Sequence, residues 1–296
     1  MKELNYALLN LTRHSGDGSF ATRACRARGL QQLAEELHAL GFKLKAAKNL
    51  APKHVDALVA HWRASGIGDA TIRNRLGWLR WWAEKVGKPG LLPGDNTGFG
   101  LAERTPYQGN RARRLTPETL DRVADARTQL TLKLEAAFGL RREEAIKFRP
   151  ALADRGDRIA LKPSWCKGGR YREVPITHPK QRALLDEVRA AIGNGSLIAP
   201  GRLYVDQLQT YKHQTRRAGL GQAHGLRHAY AQWRYKVLTG WDCPAAGGRD
   251  CGQMTPEERA RDRAARMEIS HELGHGRLDV TDTYLGRRWA KGSAPR

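Results

Sequence analysis

Several groups of residues in this sequence have the types and spacing to do chemistry. His271-Glu272-Leu273-Gly274-His275 matches H-E-x-x-H, the helical spacing that sets two imidazoles on one face as zinc ligands beside a glutamate base. Read from Leu273, the same letters give Leu-Gly-His275 followed nine positions on by Tyr284, an imidazole and a phenol that a helix, a turn and a helix can bring to one point. Upstream, Gly139-Leu140-Arg141-Arg142-Glu143-Glu144 places Glu144 three residues beyond Arg141, one helical turn away and able to hold an arginine in place. Lys167 stands next to Gly168 and Gly169, on a turn that could enter a DNA groove or reach a leaving oxygen. In His224-Gly225-Leu226-Arg227-His228 the spacing puts His224 and Arg227 on one helical face, so both can address the same phosphate.

The elements that must position these groups are mostly helical. Leu30, Leu33, Leu37 and Leu40 recur at helical steps, as do Val55, Leu58, Val59 and Trp62, and then Ile72, Leu76, Leu79, Ala83 and Val86, the apolar stripes of a small bundle. Asp69 is placed to cap the third of these helices, whose other faces carry Arg73, Arg75, Arg80 and Lys85, a basic surface open to phosphates. Trp78, Trp81 and Trp82 on the same helix read as core or domain interface. From Gly87 to Arg114 the pattern breaks into Gly, Pro and basic residues. This reads as an interdomain linker, with Arg111, Arg113 and Arg114 suited to a strap across a phosphate backbone. A second domain opens with Thr116 as N-cap and Pro117 at the first helical position. Short β-prone runs at 158–162 and 171–176 flank the Lys167 turn as a hairpin. Helical patterning returns at Leu184, Leu185, Val188 and Ile192, from His224 to Val237, and after a Thr255–Glu258 capping box.

Composition bounds the function. A net charge of +22, from 52 Lys and Arg against 30 Asp and Glu, favours a polyanionic partner, DNA or RNA by default. The cysteines, Cys25, Cys166, Cys243 and Cys251, have neither C-x-x-C spacing nor disulfide-scaffold density. The N-terminus has too short an apolar stretch for a signal peptide, and no run of about 20 apolar residues occurs. A soluble protein of a reducing cytoplasm, with no membrane contact, is the expectation.

In order along the chain, G-L-R-x-x-E, K-G-G-R-x-R-x-V-P, H-x-L-R-H, and L-G-H followed by Tyr284 make it similar to the tyrosine recombinase, or phage integrase, family. The resemblance runs from Thr116 onward. It implies a mainly α fold: an N-terminal helical core-binding (SAM-like) bundle at 1–102, a basic linker at 103–114 and, at 115–296, a mainly helical catalytic domain with a small antiparallel β-sheet. It further implies cleavage and rejoining of DNA with no metal and no other cofactor. Such chemistry needs a nucleophile, cations for the phosphorane and an acid for the 5′-oxygen. By that analogy Tyr284 forms a 3′-phosphotyrosine link, Arg141 and Arg227 clamp the non-bridging oxygens, and Lys167 protonates the leaving oxygen. His224 serves as base or hydrogen-bond partner near Tyr284, and His275 donates to a non-bridging oxygen. His228 is read as a packed core residue. The implied partners are double-stranded DNA attachment sites, three further copies of the chain in a synaptic tetramer built from free monomers, and an accessory DNA-bending or directionality factor. The setting implied is integration or excision of a phage or other mobile element. The rivals are a DNA-binding regulator of the same fold without catalysis, and an H-E-x-x-H zinc peptidase.

The sequence departs from compact relatives in one place. Arg227 and His275 are 48 positions apart, and the excess, Gly240 to Arg263 with Cys243 and Cys251, reads as a flexible insertion.

Overall fold

The structure is a computed structural model that describes residues 2–102, 107, 109–221 and 223–289. The chain divides into two compact units, Met1–Arg104 and Thr105–Arg296. The linker expected over 103–114 lies partly outside the described residues, as does the end of the tail beyond Trp289.

The first unit is a helical bundle of α1 (Glu3–Arg13), α2 (Phe20–Ala39), α3 (Pro52–Ala64) and α4 (Asp69–Lys85). The leucine stripes meet in one core with Trp62 and Trp82, both fully buried, while Trp78 and Trp81 pack at its edge. The periodicity missed α1, whose Leu4 and Leu8 seal the bundle against α2.

Two expectations for α4 need correction. Gly68, not Asp69, is the N-cap; Asp69 is the first helical residue, where its charge meets the positive end of the helix. Arg75 is not on a surface open to phosphates. It is 8% exposed, donates to Glu36 Oε1 at 2.8 Å and lies over the Trp62 ring. The Trp62 indole donates to the other oxygen of Glu36 at 2.7 Å. A guanidinium on a largely apolar face is tolerable because it is paired and hydrogen-bonded there. Arg80 ties down the segment after the helix through Pro93 O, Asp95 O and Asn96 Oδ1. Arg73 reaches Ala102 O, and Lys85 pairs with Asp17.

The second unit contains α5 (Pro117–Asp121), α6 (Ala126–Phe138), α7 (Arg142–Ile146), α8 (Pro150–Ala153), strands β1 (Arg158–Leu161) and β2 (Arg172–Pro175), α9 (Pro179–Ile192), α10 (Tyr204–Arg217), α11 (His224–Thr239), α12 (Pro256–Glu272) and α13 (Leu278–Leu285). Thr116 caps α5 with Pro117 following, and Thr255 and Glu258 cap α12 reciprocally. The strands pair antiparallel, Ile159 opposite Val174 and Leu161 opposite Arg172. Ile159, Leu161 and Val174 face the core, and Arg172 is buried with them at 4% exposure. The Lys167 turn between the strands is closed by Gly168 and Gly169, both at positive φ, which a side chain would strain. Among the described residues no helix is long and apolar enough to cross a membrane.

The insertion after α11 is packed, contrary to the expectation of a flexible segment. Cys243 and Cys251 are 0% and 1% exposed, and Cys243 and Ala245 share a core cluster with Tyr284 and Leu285. Cys251 N donates to Arg288 O, and a Cβ on Gly286 would meet Ala245 N at 2.6 Å. Beneath this contact Asp262 and Arg266, both 0% exposed, pair with each other, and Arg266 also reaches Asp282 and Gly286 O. Cys243 behaves as a small apolar residue beside the end of α13, while the Cys251 thiol donates to Asp262 at 3.6 Å.

Candidate active site

The site is built where α11, the start of α7 and the α12–α13 turn converge. Gly139 ends α6 in the left-handed conformation at φ 59°. A Cβ there would meet Tyr230 at 2.4 Å, so the Gly-Leu-Arg motif needs glycine to turn the chain under α11. The turn delivers Arg141 as N-cap of α7. Glu144, 0% exposed, accepts from Arg141 N at 2.6 Å and from the Arg141 guanidinium at 2.8 Å. Its second oxygen also pairs with Arg172. Burial by itself would raise the Glu144 carboxyl, but the guanidiniums of Arg172, Arg227 and Arg141 outweigh it and hold the group below its ordinary value.

On α11, Arg227 is fully buried at 1% exposure and donates to Gly139 O and Leu273 O. Burial, with Arg172 and Arg141 nearby, lowers it to about 10, still charged at neutral pH. Arg141 donates to the same Leu273 carbonyl at 3.1 Å. One backbone oxygen therefore holds both guanidiniums side by side.

The α12–α13 turn supplies the rest. α12 ends at Glu272, and Gly274 at φ 70° reverses the chain. His275 is thus off the helix and cannot share a helical face with His271. Glu272 is turned inward, accepting from Tyr230 and Arg234 at 2.7 and 2.8 Å. Among the described residues no group of His, Cys, Asp and Glu is gathered to hold a metal ion. The H-E-x-x-H reading fails on the helix boundary: its two histidines are not one turn apart.

His275 Nε2 lies 3.3 Å from the Tyr284 hydroxyl and 3.4 Å from Arg227 NH2, while Arg227 Nε lies 3.4 Å from the same hydroxyl. A guanidinium only donates, so the Arg227 contact assigns the lone pair to Nε2, and with that tautomer the phenol is the donor. Tyr284 is 5% exposed. Its ring is walled by His228 at 4.6 Å between centroids and by His224 at 6.1 Å. Burial, with Arg227 and Arg141 close by, lowers His275 to about 3 and His224 to about 4. Burial, the His224 ring and Arg111 lower His228 to about 4. All three imidazoles are neutral at physiological pH.

The structure brings Arg141, His224, Arg227, His275 and Tyr284 together. Lys167 sits on the exposed hairpin turn, and no hydrogen bond or ion pair joins it to those five. The imidazole within reach of the phenol is His275, not His224. Arg111, Arg113 and Arg114 are exposed. Sequence reasoning saw Arg172 only as a basic residue of the hairpin competing with Lys167, and read His228 as core. Arg172 was visible as the second arginine of K-G-G-R-x-R, but nothing in the letters shows a strand turning it inward. His228, 3% exposed, packs on the phenol itself.

A family model described as "Phage integrase, N-terminal" matches residues 1–91, and one described as "Integrase" matches residues 109–233. The second match includes Arg141, Lys167, His224 and Arg227, and His275 and Tyr284 lie beyond it. No curated protein matches the chain. Among solved structures, a lambda integrase dimer bound to a COC′ core site superposes with a TM-score of 0.62 at 14% identity, covering 98% of this chain and 79% of that one. A XerH site-specific recombinase on a palindromic difH substrate gives 0.57 at 18% identity, with 95% and 80% covered. The Tn1549 transposon integrase with circular-intermediate DNA gives 0.57 at 13% identity, with 96% and 95% covered. At such identities the likeness is one of fold. The two family models between them take in most of the sequence, and this chain belongs to the tyrosine recombinase, or phage integrase, family.

Proposed function

We propose that this site-specific DNA recombinase cleaves and rejoins DNA through Tyr284, integrating or excising a mobile element. The observation that carries the reading is the Tyr284 hydroxyl placed 3.3 Å from the His275 imidazole and 3.4 Å from the Arg227 guanidinium. In the proposed step the Tyr284 oxygen attacks the scissile phosphorus and its proton passes to His275 Nε2. The bond from phosphorus to the 5′-oxygen breaks, and Lys167 on its exposed turn gives that oxygen a proton. Arg141 and Arg227 stabilise the added charge on the non-bridging oxygens, and His224 lines the same space. Burial is the first cause that lowers His275 and the repulsion of Arg227 and Arg141 the next; an anionic phosphodiester among these arginines offsets the second, which favours the imidazole as base. The 3′-phosphotyrosine link conserves the energy of the phosphodiester. A 5′-hydroxyl from another strand then reverses the step.

The partner we infer is double-stranded DNA at attachment sites. Arg111, Arg113 and Arg114 are candidate phosphate contacts, with Arg73, Arg80 and Lys85 on the first unit. The related folds were solved on DNA, one as a lambda integrase tetramer on a Holliday junction, which supports a synaptic tetramer assembled from monomers. An accessory bending or directionality factor and a cytoplasmic, nucleoid-bound location belong to the same reading.

The test is incubation, without added metal, with nicked duplexes tiling the DNA on either side of the protein's own gene. Wild type is expected to give a covalent adduct on denaturing gels, and Tyr284→Phe none while still shifting the DNA in native gels. No adduct from wild type, or an equal yield from Tyr284→Phe, overturns the assignment.

A further inference from the structure

The basic segment before α5 lies directly on the catalytic helix. Arg113 N donates to Gly225 O at 2.9 Å. A Cβ on Gly225 would meet Arg111 O and Arg113 Cγ, each at 2.7 Å. This explains a glycine in the first turn of α11, where it weakens the helix: any side chain would lift the segment off. Asn110, Arg111 and Arg113 themselves are exposed, so the strap has one face on α11 and one toward solvent.

Two turns along α11, Gln232 connects this strap to the nucleophile. Its Nε2 donates to Asn110 Oδ1 at 2.9 Å and to Tyr284 O at 3.1 Å. The second acceptor is a main-chain carbonyl in the last turn of α13, which has no partner within its own helix. A carbonyl can only accept, so the amide must present its NH2 group there, and both of its hydrogens are used. Asn110 is held in turn by Ala112 N, which donates to the same Oδ1 at 2.9 Å. The path runs from an exposed basic strap, through one side-chain amide, to the backbone of Tyr284.

Resting on the assignment of Tyr284 as nucleophile, we propose that Gln232 is a positioning residue that couples the 110–113 strap to strand cleavage. With the strap docked on α11, Gln232 fixes the end of α13 and so the phenol between His275 and Arg227. Phosphates that bind the exposed arginines of the strap press it onto α11, and the nucleophile is held in place when DNA is seated. The inference assigns Gln232 and Asn110 to catalysis indirectly, with neither touching the reacting atoms.

The test uses full-length protein and whichever nicked duplex gives the wild-type adduct, followed as a single-turnover rate with affinity measured separately. Gln232→Glu has the same shape but no donor for either carbonyl oxygen. It is expected to slow adduct formation about five- to tenfold, as for one or two lost hydrogen bonds, with DNA affinity within about twofold. Gln232→Leu should do the same. Asn110→Asp keeps the acceptor and should hold the wild-type rate, whereas Asn110→Ala should lose rate, and adding it to Gln232→Glu should cause no further loss. Gly225→Ala, which improves helix propensity while displacing the strap, should also slow cleavage. A wild-type rate for Gln232→Glu, independent losses from the Asn110 and Gln232 changes, or a loss accounted for by affinity would overturn the coupling. If wild type forms an adduct that Tyr284→Phe does not, those outcomes sink the coupling alone. If it forms none, the nucleophile assignment fails first.

Discussion

Glu144 offers the sharpest measure of what holds the site together. Its carboxylate is wholly buried and accepts from Arg141 N, from the Arg141 guanidinium and from Arg172, which is itself buried at 4% exposure. Glu144→Gln keeps the size but removes the charge, and it turns an NH2 group toward at least one donor. Breaking a buried ion pair by removing one partner costs ~3–5 kcal/mol. Because the amide oxygen still accepts one hydrogen bond, we set the loss near the lower end, about 3 kcal/mol. For a unit the size of Thr105–Arg296, melting shifts by roughly 2–4 °C per kcal/mol, so the variant should melt roughly 6–12 °C below wild type at neutral pH. The pH dependence has a definite sign. The wild-type carboxyl is held low, so its contribution is present above the ordinary carboxylate range and is lost as pH falls through its folded value. The gap between the two proteins should therefore narrow below about pH 4. The assay is circular dichroism melting of the full-length protein across pH, with adduct formation in parallel. A neutral-pH shift under about 2 °C, or a gap that widens on acidification, would refute the reasoning that the charge of Glu144 organises Arg141 and Arg172.

Other predictions follow from the same geometry. His224, His228 and His275, lowered to about 4, about 4 and about 3, should remain neutral at pH 5 in proton NMR, while histidines in ordinary surroundings titrate. Their unfolded forms protonate near pH 6.5, so stability should fall as pH drops from there toward the folded values; full titration of all 10 histidines above pH 5 would contradict this. Glu135, 2% exposed and donated to by the Tyr211 hydroxyl at 2.8 Å, is pushed by burial up to about 8. Its ionisation opposes folding as pH rises from the ordinary carboxylate range to that value, so Glu135→Gln should raise the melting temperature at pH 8, and a lower one would count against it. Lys167→Ala, on an exposed turn with no ion pair, should melt within about 1 °C of wild type, as for a surface change, while losing about a hundredfold or more in adduct rate. A variant as active as wild type would remove Lys167 from the mechanism.

How much of this was legible in the letters depended on how local each feature is. Helical periodicity, the Thr116 and Thr255 caps and the short β-prone runs showed the mainly helical fold with its small antiparallel sheet, because apolar spacing and capping act within a turn or two of chain. The order of Arg141, Lys167, His224, Arg227, His275 and Tyr284 was readable for the same reason, each in a short motif. Tertiary structure decided what those residues do to one another. It set the end of α12 before His275, which broke the apparent zinc motif and gave the phenol its imidazole. Packing turned Arg75 and Arg172 inward onto glutamates, 39 and 28 positions away in sequence, and seated the Cys243–Cys251 insertion under the end of α13. Those outcomes depend on which charges meet when distant segments bury one another. A guanidinium is read from one letter, whereas its partner is chosen only by the fold that removes both from water.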